Sequence, residues 1–295
     1  MFWRPIIRLS DFYNSLITNI SAGERIFEIM DIDPTIYSKE NSKDMPKIHG
    51  EVEFKNVSFS YDHSKNVLSN INFKINEGES VALVGATGAG KTTIINLISR
   101  FYDVNEGAVL IDDIDVREVN LESLRSQMGI MLQDTFLFSA SKKENIRYGK
   151  LDATDEEIID AAKAVNAHEF IMNLEKGYNT EINERGSRLS VGQRQLISFA
   201  RALLANPRIL ILDEATSNID TATEILVQKG IEKLLKGRTS FVIANRLSTI
   251  RDCNKIMVIE NGGVQEVGTH EELLKEKGIY YDLYMAQYKF LQEGA

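Results

Sequence analysis

The 295-residue sequence is poor in cysteine and histidine, and each shortage excludes a kind of site or scaffold. Cys253 is the only cysteine, so no intramolecular disulfide can form and a reducing compartment is indicated. The four histidines are far apart along the chain, so none of them belongs to the closely spaced pair that is typical of a metal site. The sequence therefore predicts no metal site built on histidine or cysteine.

Long apolar runs and an excess of basic charge are also missing. No stretch approaches the roughly 18 apolar residues of a membrane span, and Arg4, Arg8 and Asp11 interrupt any signal-peptide core. The net charge of −9 argues against a broad nucleic-acid or anionic-membrane surface, so no nucleic-acid partner is expected. An acidic chain can still contain a local phosphate pocket. With 43% hydrophobic residues, the chain as it stands is expected to be a soluble globular protein.

The sequence divides into three parts. In residues 1–30, apolar side chains recur every three or four positions, which predicts one amphipathic helix. Residues 31–49 are polar, contain two of the four prolines and show no sustained period, which is typical of a linker. From 50 to 295, short apolar runs alternate with helical patterns. This alternation predicts an α/β domain with a parallel-rich sheet covered on both faces.

The predicted elements of the α/β part have the following bounds. Strands are expected at 51–59, 67–75, 80–84, 108–111, 129–132, 209–212, 240–243 and 255–259. Helices are expected at about 92–101, 155–164, 191–205, 221–235 and 270–277.

A glycine-rich loop follows the predicted strand at 80–84. Residues 85–92 (GATGAGKT) fit the pattern G-x-x-x-x-G-K-[ST], and the strand before and helix after them are the context that this motif requires. The glycines let backbone N–H groups surround an anion, and the helix adds the positive end of its dipole. Lys91 supplies a charge for the β- and γ-phosphates, and Thr92 offers a hydroxyl oxygen to Mg²⁺. The loop therefore predicts a phosphate site for a nucleoside triphosphate.

Two carboxylates stand at the end of another apolar strand, residues 208–213 (RILILD), which is expected to lie beside the loop's strand. Asp213 occupies its carboxyl end, the edge at which open α/β sheets bind ligands. There it can hold Mg²⁺ through the metal's water shell. Glu214 follows directly and is placed to accept a proton from an attacking water.

A third motif identifies a family resemblance. Residues 189–195 (LSVGQRQ) resemble the signature of ABC transporter nucleotide-binding domains, commonly LSGGQ, and lie between the loop and the Asp213 strand. The resemblance extends from residue 50 to about 287. It implies a P-loop core, an antiparallel β subdomain and an α-helical signature subdomain. It also implies ATP and Mg²⁺ as ligands, and a head-to-tail dimer with each ATP between one subunit's P-loop and the other's signature.

The resemblance assigns roles position by position. Tyr61 looks like the aromatic residue that stacks on adenine, although by itself it could equally be a core tyrosine. Gln133 looks like the glutamine that touches Mg²⁺ and water and senses the membrane partner. Residues 217–220 resemble the loop that contacts the opposite subunit, and 184–187 the segment that contacts the coupling helices. The implied nucleotide contacts are Tyr61, Gly85, Thr87, Gly88, Ala89, Gly90, Lys91, Thr92, Thr93, Ser190, Gly192 and Gln193.

Two residues depart from the family pattern. Val191 replaces the first signature glycine, and its β-branch resists positive φ, so extended backbone is expected there. Asn245 stands where the family has its switch histidine. Because an amide cannot carry the positive charge that histidine can, we expect slowed hydrolysis with near-normal ATP binding. Asn245 fits either a natural half-site of slow turnover or a substitution introduced to retain ATP.

Residues 1–30 resemble the cytoplasmic end of the last transmembrane helix of ABC exporters. This implies a longer, membrane-integral protein with a transmembrane domain, and a place at the cytoplasmic face of the cell membrane. Alternatively, the helix packs on its own domain. The leading hypothesis is a transport-coupled ATPase motor, and the second is an ATP-dependent dimerisation module with little turnover. A soluble ABC protein of translation or DNA repair is disfavoured, because such proteins carry two nucleotide domains or a long coiled-coil insertion.

Overall fold

The computed structural model describes residues 2–62, 65–131, 136–182, 189–214, 221–244 and 247–293. The side chains of residues 214, 221–222, 244, 247–248 and 287–293 lie outside the described part. The chain forms two compact units, Met1–Tyr37 and Ser38–Ala295.

The first unit contains the predicted N-terminal helix. Helix α1 spans Trp3–Met30, 28 residues, and this single helix buries none of its side chains. The large apolar side chains along it, such as Leu9 and Phe27, are exposed. Among the helices that the structure describes, none combines the length and the apolar character needed to cross a membrane.

The second unit is built from two sheets and the helices that cover them. Its described strands are β1 (Val52–Phe59), β2 (Leu68–Ile75), β3 (Ser80–Val84), β4 (Glu106–Ile111), β5 (Ile114–Asp115), β6 (Met128–Met131), β7 (Ile209–Glu214), β8 (Thr239–Ala244), β9 (Lys255–Glu260) and β10 (Gly263–Gly268). Its described helices are α2 (Lys91–Ile98), α3 (Leu121–Arg125), α4 (Lys142–Arg147), α5 (Asp155–Ala164), α6 (His168–Met172), α7 (Val191–Ala205), α8 (Thr221–Leu235), α9 (Leu247–Arg251), α10 (His270–Glu276) and α11 (Ile279–Glu293).

The smaller sheet is antiparallel, in the order β2-β1-β4-β5. Val52 of β1 lies opposite Ile75 of β2 on one side and Ile111 of β4 on the other. All three side chains are buried, so the alternating pattern of these strands gives the sheet one dry face. The antiparallel subdomain is thereby confirmed.

The larger sheet has the order β10-β9-β3-β8-β7-β6, with parallel pairing from β9 to β6 and an antiparallel edge strand, β10. Strand β3, which precedes the glycine loop, therefore pairs with β9 and β8. The expectation that the Asp213 strand, β7, lies beside β3 is wrong, because β8 separates them. Apolar patterning gives each strand its faces but not its lateral neighbours.

Alternate residues of the central strands enter two different cores, which confirms a parallel-rich sheet covered on both faces. Val81 and Leu83 of β3 pack in the core shared with the antiparallel sheet and α2. Ala82 and Val84 pack in the other core, together with side chains of α5, α7 and α8. Every residue of β3 is buried, as expected for a central strand of a covered parallel sheet.

Short elements account for most of the differences from the predicted elements. Helices α3 and α4 have five and six residues, too few for a periodic pattern. They begin at side-chain caps: the Asn120 side chain accepts from two backbone N–H groups of α3, and Ser141 accepts from Glu144 N–H of α4. Strand β10 and helix α11 were also not predicted.

Part of the range interpreted as a linker lies in the second unit. Met45 and Ile48 are buried in its core. Their backbone N–H groups donate to Ser123 Oγ at 2.8 Å and Gln127 Oε1 at 2.9 Å. The chain next passes Asp112, whose carboxylate accepts from the N–H groups of three consecutive residues, 49 to 51, at 2.6, 3.1 and 2.9 Å. This carboxylate fixes the path by which the chain enters β1.

Substituting Asp112→Ala should therefore lower the free energy of unfolding by about 2–3 kcal/mol, because three N–H groups lose a charged acceptor and alanine is strained at the positive φ of 49°. The matched control is Asp113→Ala at the next position, where φ is 63°; it should carry only the strain, about 1 kcal/mol. Urea unfolding of both variants measures the difference, and equal losses would contradict the anchoring role.

Candidate functional site

The glycine loop owes its shape to close packing at both ends. Gly85 has φ 146°, and a Cβ there would overlap the carbonyl oxygen of Ile259 on the neighbouring strand. Gly90 has φ 109°, and a Cβ there would lie 2.6 Å from Leu68 Cδ2. Both positions combine a backbone conformation that other residues rarely adopt with a lack of space, so both require glycine.

The middle of the loop is open by contrast. Gly88 has φ 82°, and a Cβ built on it would meet no described atom within 4 Å. The loop is therefore held at its two ends and leaves free space in front of its centre, which is the arrangement that an anion cradle needs. Helix α2 begins directly after it at Lys91, with Gly90 as the N-cap residue, so the positive end of the helix dipole faces the same space.

Lys91 and Asp213 are both partly buried, and the charge of each acts on the other. The Lys91 Nζ donates to the carbonyl oxygens of Gly85 at 2.7 Å and Ala86 at 2.8 Å. Burial lowers the pKa of Lys91, and the charge of Asp213 opposes that shift. Burial raises the pKa of Asp213, and the charge of Lys91 opposes that shift in turn. Each charge is thus incompletely solvated, so a phosphate group for Lys91 and a hard cation for Asp213 fit the pocket's electrostatics.

The two threonines after Lys91 point to different surroundings. Thr92 is exposed in the first turn of α2, where its hydroxyl is accessible to a ligand. Thr93 is buried, and its Oγ1 lies 3.1 Å from the hydroxyl of Tyr61. Tyr61 itself is 48% exposed, so it is not a core tyrosine.

A cleft of about 650 Å³ brings Tyr61 and the glycine loop together. Its lining includes Tyr61 on one side, the loop residues Ala86, Thr87, Gly88 and Ala89, and the turn between β9 and β10 at residues 260–262. An exposed aromatic ring thus stands at one end of an anion cradle. The arrangement suits a ligand with a flat base and a phosphate chain.

The signature residues begin helix α7. Ser190 is its N-cap: the Ser190 side chain accepts from Gln193 N–H, and the Gln193 side chain accepts from Ser190 N–H. Gly192 is buried in the first turn. Val191 is the first helical residue, so the expectation of extended backbone there is wrong. The reciprocal cap places residue 190, and not 191, in the extended conformation, at ψ 162°.

Several predicted residues lie outside the described part of the chain. These are Gln133, Asn245 and the segments 184–187 and 217–220. The backbone of Glu214 ends β7 opposite Ala244, the last residue of β8, but its side chain is not described. Asn245 follows Ala244 in the sequence and lies outside the described residues.

The comparisons with known proteins agree with this geometry. Residues 68–217 match the model of the ABC transporter family. The chain belongs to the ABC transporter family. It is 54% identical to an uncharacterised ABC transporter ATP-binding protein, YknV, of Bacillus subtilis, over 98% of this chain and 48% of that protein. It is 50% identical to the ATP-dependent lipid A-core flippase of Syntrophus aciditrophicus, over 98% of this chain and 48% of the flippase.

A solved structure of a bacterial Atm1-family ABC exporter with ATP bound superposes with a TM-score of 0.85 at 38% identity, over 97% of this chain and 50% of that one. The ABC family membership and the fold class are therefore confirmed, and the domain is an ATP-binding one. The chain spans about half the length of the relatives it matches.

A second cavity, of about 680 Å³, was not anticipated from the sequence. Exposed rings of Phe136 and Tyr148 line it, together with Arg201 and Arg125. The Arg201 guanidinium donates to the carbonyl oxygens of Asn145 at 2.8 Å and Phe136 at 3.1 Å, and lies 5.6 Å from the Tyr148 ring centroid. In the sequence, the visible signal is the pair of aromatic residues Phe136 and Phe138 shortly after Gln133. Such a pair is equally compatible with a surface groove and with a buried core.

The packing at Gly85 predicts unequal effects of alanine along the loop. Gly88→Ala should lower the unfolding free energy by roughly 1–2 kcal/mol, the strain of a positive φ in open space. Gly85→Ala should cost about 1–3 kcal/mol more, because its Cβ also displaces the Ile259 backbone. Urea unfolding without nucleotide is the measurement, and equal costs would show that the Ile259 contact is not limiting.

The burial of Asp213 predicts a pH-dependent gain from Asp213→Asn. Because the folded pKa is raised, ionised Asp213 destabilises the ligand-free domain above that pKa, and protonation removes the effect as pH falls. The variant should therefore be slightly more stable than wild type at pH 7, with the difference shrinking towards pH 4. Thermal unfolding across this range tests it, with exposed Asp152→Asn as the control; a difference that grows on acidification would contradict the account.

Proposed function

We propose that this chain is the ATP-hydrolysing motor domain of an ABC exporter and works as a head-to-tail dimer with Mg-ATP at its interface. The observation that carries the proposal is the glycine loop, open at Gly88 and followed directly by α2, in one cleft with the exposed ring of Tyr61. The relatives named as an ATP-dependent flippase and an ATP-bound exporter support the same assignment.

The chain's own groups divide the work of phosphoryl transfer. Backbone N–H groups of residues 85–91 and the Lys91 ammonium hold the β- and γ-phosphates, which fixes the reacting phosphorus and stabilises charge on its oxygens. Glu214, next along the strand from Asp213, accepts a proton from the attacking water. The Lys91 ammonium has three donors and gives two of them to the carbonyl oxygens of Gly85 and Ala86, so contact with both phosphates requires it to release at least one of these oxygens.

The residues present fit a magnesium ion. Thr92 offers an exposed hydroxyl, Asp213 a half-buried carboxylate, and Gln133 is the third assigned ligand; all three supply the oxygen atoms that this cation prefers. When bound, Mg²⁺ would neutralise charge on the transferring phosphoryl group. The raised pKa of Asp213 supports this role, because a cation would replace the solvation that the carboxylate lacks.

The signature helix supports the dimer. Ser190, Gly192 and Gln193 open α7, a 15-residue helix whose dipole has its positive end at these residues. Of the described residues, those that line the Tyr61 cleft include none from α7. A second copy, turned head to tail, supplies that helix end to the ATP held by the first copy's loop.

The partner in the membrane is a transmembrane domain, for which the second cavity is a suitable dock. Exposed Phe136 and Tyr148 give it an apolar wall, and Arg125 and Arg201 give it positive charge. Such a groove fits a short helix that carries apolar side chains and presents its negative C-terminal end or an acidic residue. The full protein would then be membrane-integral, with this domain at the cytoplasmic face and α1 continuing the last membrane helix.

Asn245 motivates a second candidate, an ATP-dependent dimerisation module with little turnover. Asparagine at this position cannot supply the charged donor that histidine would offer to the reaction. In other enzymes, removing one positioned donor lowers kcat by about 10²–10³. Binding depends mainly on the loop and Lys91, so it is expected to be close to normal.

Asn245→His should therefore raise phosphate release substantially, by about tenfold or more, without changing ATP affinity by more than a few-fold. Phosphate release and the sedimentation of a Mg-ATP-dependent dimer are measured together on both forms. Glu214→Gln in either background serves as the control, because it should keep the dimer and abolish turnover.

The outcomes separate the two candidates. Measurable turnover that rises in the histidine variant supports a motor slowed at this position. An ATP-dependent dimer without turnover in both forms supports the dimerisation module. Equal turnover in both forms would show that position 245 does not limit hydrolysis, and an absent dimer would contradict the head-to-tail arrangement.

A further inference from the structure

The two arginines of the second cavity, here called the Phe136 groove, are bonded in different ways. Arg201 donates from all three of its nitrogens: Nε to Asn145 O at 2.8 Å, Nη1 to Phe136 O at 3.1 Å and Nη2 to Asn145 Oδ1 at 3.0 Å. Its guanidinium also lies 5.6 Å from the ring centroids of both Phe138 and Tyr148. Every nitrogen of Arg201 is therefore engaged in holding the aromatic wall of the groove.

The loop that carries this wall is fixed on helix α7. The Asn145 side chain is buried; its Oδ1 accepts from Phe138 N–H at 2.9 Å, and its Nδ2 donates to the Phe138 carbonyl oxygen at 3.0 Å. Close packing adds to this support, because a Cβ at Gly149 would overlap the carbonyl oxygen of Arg201. The position of the Phe136 ring thus depends on Arg201, which acts as a structural arginine.

Arg125, by contrast, uses only part of its guanidinium. Its Nε donates to Ser99 O at 3.1 Å and its Nη2 to Arg100 O at 2.7 Å, the two carbonyl oxygens directly after α2. Among the described residues, none accepts from Nη1 and none forms an ion pair with Arg125. Two of the five N–H groups of the guanidinium are used, so three remain, which is enough for the parallel fork that arginine forms with a carboxylate.

The Phe136 groove has positive charge without a counter-charge in its described lining. That lining contains Arg125 and Arg201 but no aspartate or glutamate. Burial lowers the pKa of Arg125, and the nearby charge of Arg100 lowers it further. Because a guanidinium still keeps its proton near neutral pH, Arg125 is an incompletely solvated cation that a carboxylate would stabilise. The rings of Phe136 and Tyr148, each 57% exposed, offer an apolar surface beside it.

We propose that Arg125 is the specificity-determining residue of the Phe136 groove and pairs with an acidic side chain of the partner segment. An apolar side chain next to that acid packs on the wall that Arg201 supports. The full charge of a carboxylate matches a guanidinium fork better than the partial charge at a helix C-terminus does, which favours the acidic side chain. This inference rests on the proposed function, since it takes the groove as the dock of the transmembrane partner.

Ligand-observed NMR titration of the full chain with two capped dipeptides tests the inference. Acetyl-Phe-Glu-amide and acetyl-Phe-Gln-amide have nearly the same shape and differ by one charge. The acidic peptide should bind about three- to tenfold more tightly than the neutral one, the range for one partly exposed, charge-assisted pair. This preference should shrink as salt is raised, because screening acts on the acidic peptide alone.

Four variants separate the roles of the groove residues. Arg125→Gln should remove the preference for the acidic peptide and leave the neutral peptide within about twofold of its wild-type affinity. Arg201→Gln and Phe136→Ala should each weaken both peptides, because the apolar wall is lost. Arg117→Gln controls for the loss of one positive charge and should keep the preference, since Arg117 is already paired with Asp115 at 2.6 Å.

Each failure has its own meaning. The inference is overturned if the two peptides bind wild type alike, if neither binds, or if Arg125→Gln retains the preference. It is also overturned if Arg201→Gln weakens the acidic peptide alone, because the carboxylate then pairs with Arg201. The wild-type preference and its salt dependence decide the matter even where Arg125→Gln unfolds.

Titration calorimetry of wild type with Mg-ADP keeps the proposed function separate from this inference. A chain that binds Mg-ADP but shows no preference between the peptides contradicts only the role of Arg125. A chain that does not bind Mg-ADP contradicts the proposed function, whatever the peptides do.

Discussion

The absence of a side chain at Gly85 is the constraint on which the rest of the site depends. The backbone of the loop lies against the carbonyl oxygen of Ile259, so β3 can leave the sheet only by turning tightly past β9. That turn brings Lys91 back to the loop's own carbonyl oxygens and starts α2 at the carboxyl edge of the sheet. The end of β9 and the turn after it, residues 260–262, line the same cleft as the loop.

Once the loop is in place, the chemistry follows from two charges that burial disfavours. Lys91 begins α2 after β3, Asp213 lies on β7, and β8 separates these two strands; each charge shifts the pKa of the other against the effect of its own burial. Their attraction offsets only part of the lost hydration. Because burial disfavours the charged form of each group, a phosphate beside Lys91 and a cation beside Asp213 would both be stabilised, which is a physical basis for binding a polyanion together with its cation.

The sequence motifs were sufficient to predict the residues of the site. They did not predict the order of the strands in the sheet or the short helices. Residues 85–92 fit a pattern that requires a strand before it and a helix after it, so both elements were located closely, as were α5, α7 and α8. The position of β8 between β3 and β7 depends on crossovers that periodicity does not report. The conformation of Val191 depended on a reciprocal cap between Ser190 and Gln193, which outweighed the preference of a β-branched residue. The Phe136 groove could not be found because exposed and buried rings look alike in sequence.

The orientation of Thr93 illustrates how one helix serves two halves of a site. Thr92 and Thr93 are neighbours on α2, and successive residues of a helix point about 100° apart, so their side chains have different surroundings. Thr92 is exposed, whereas the Thr93 hydroxyl shares a hydrogen bond with the Tyr61 hydroxyl. The helix that begins at the phosphate cradle thus also supports the aromatic ring. One structural element therefore contributes both to the phosphate cradle, through its first turn, and to the support of the ring, through the Thr93 hydroxyl.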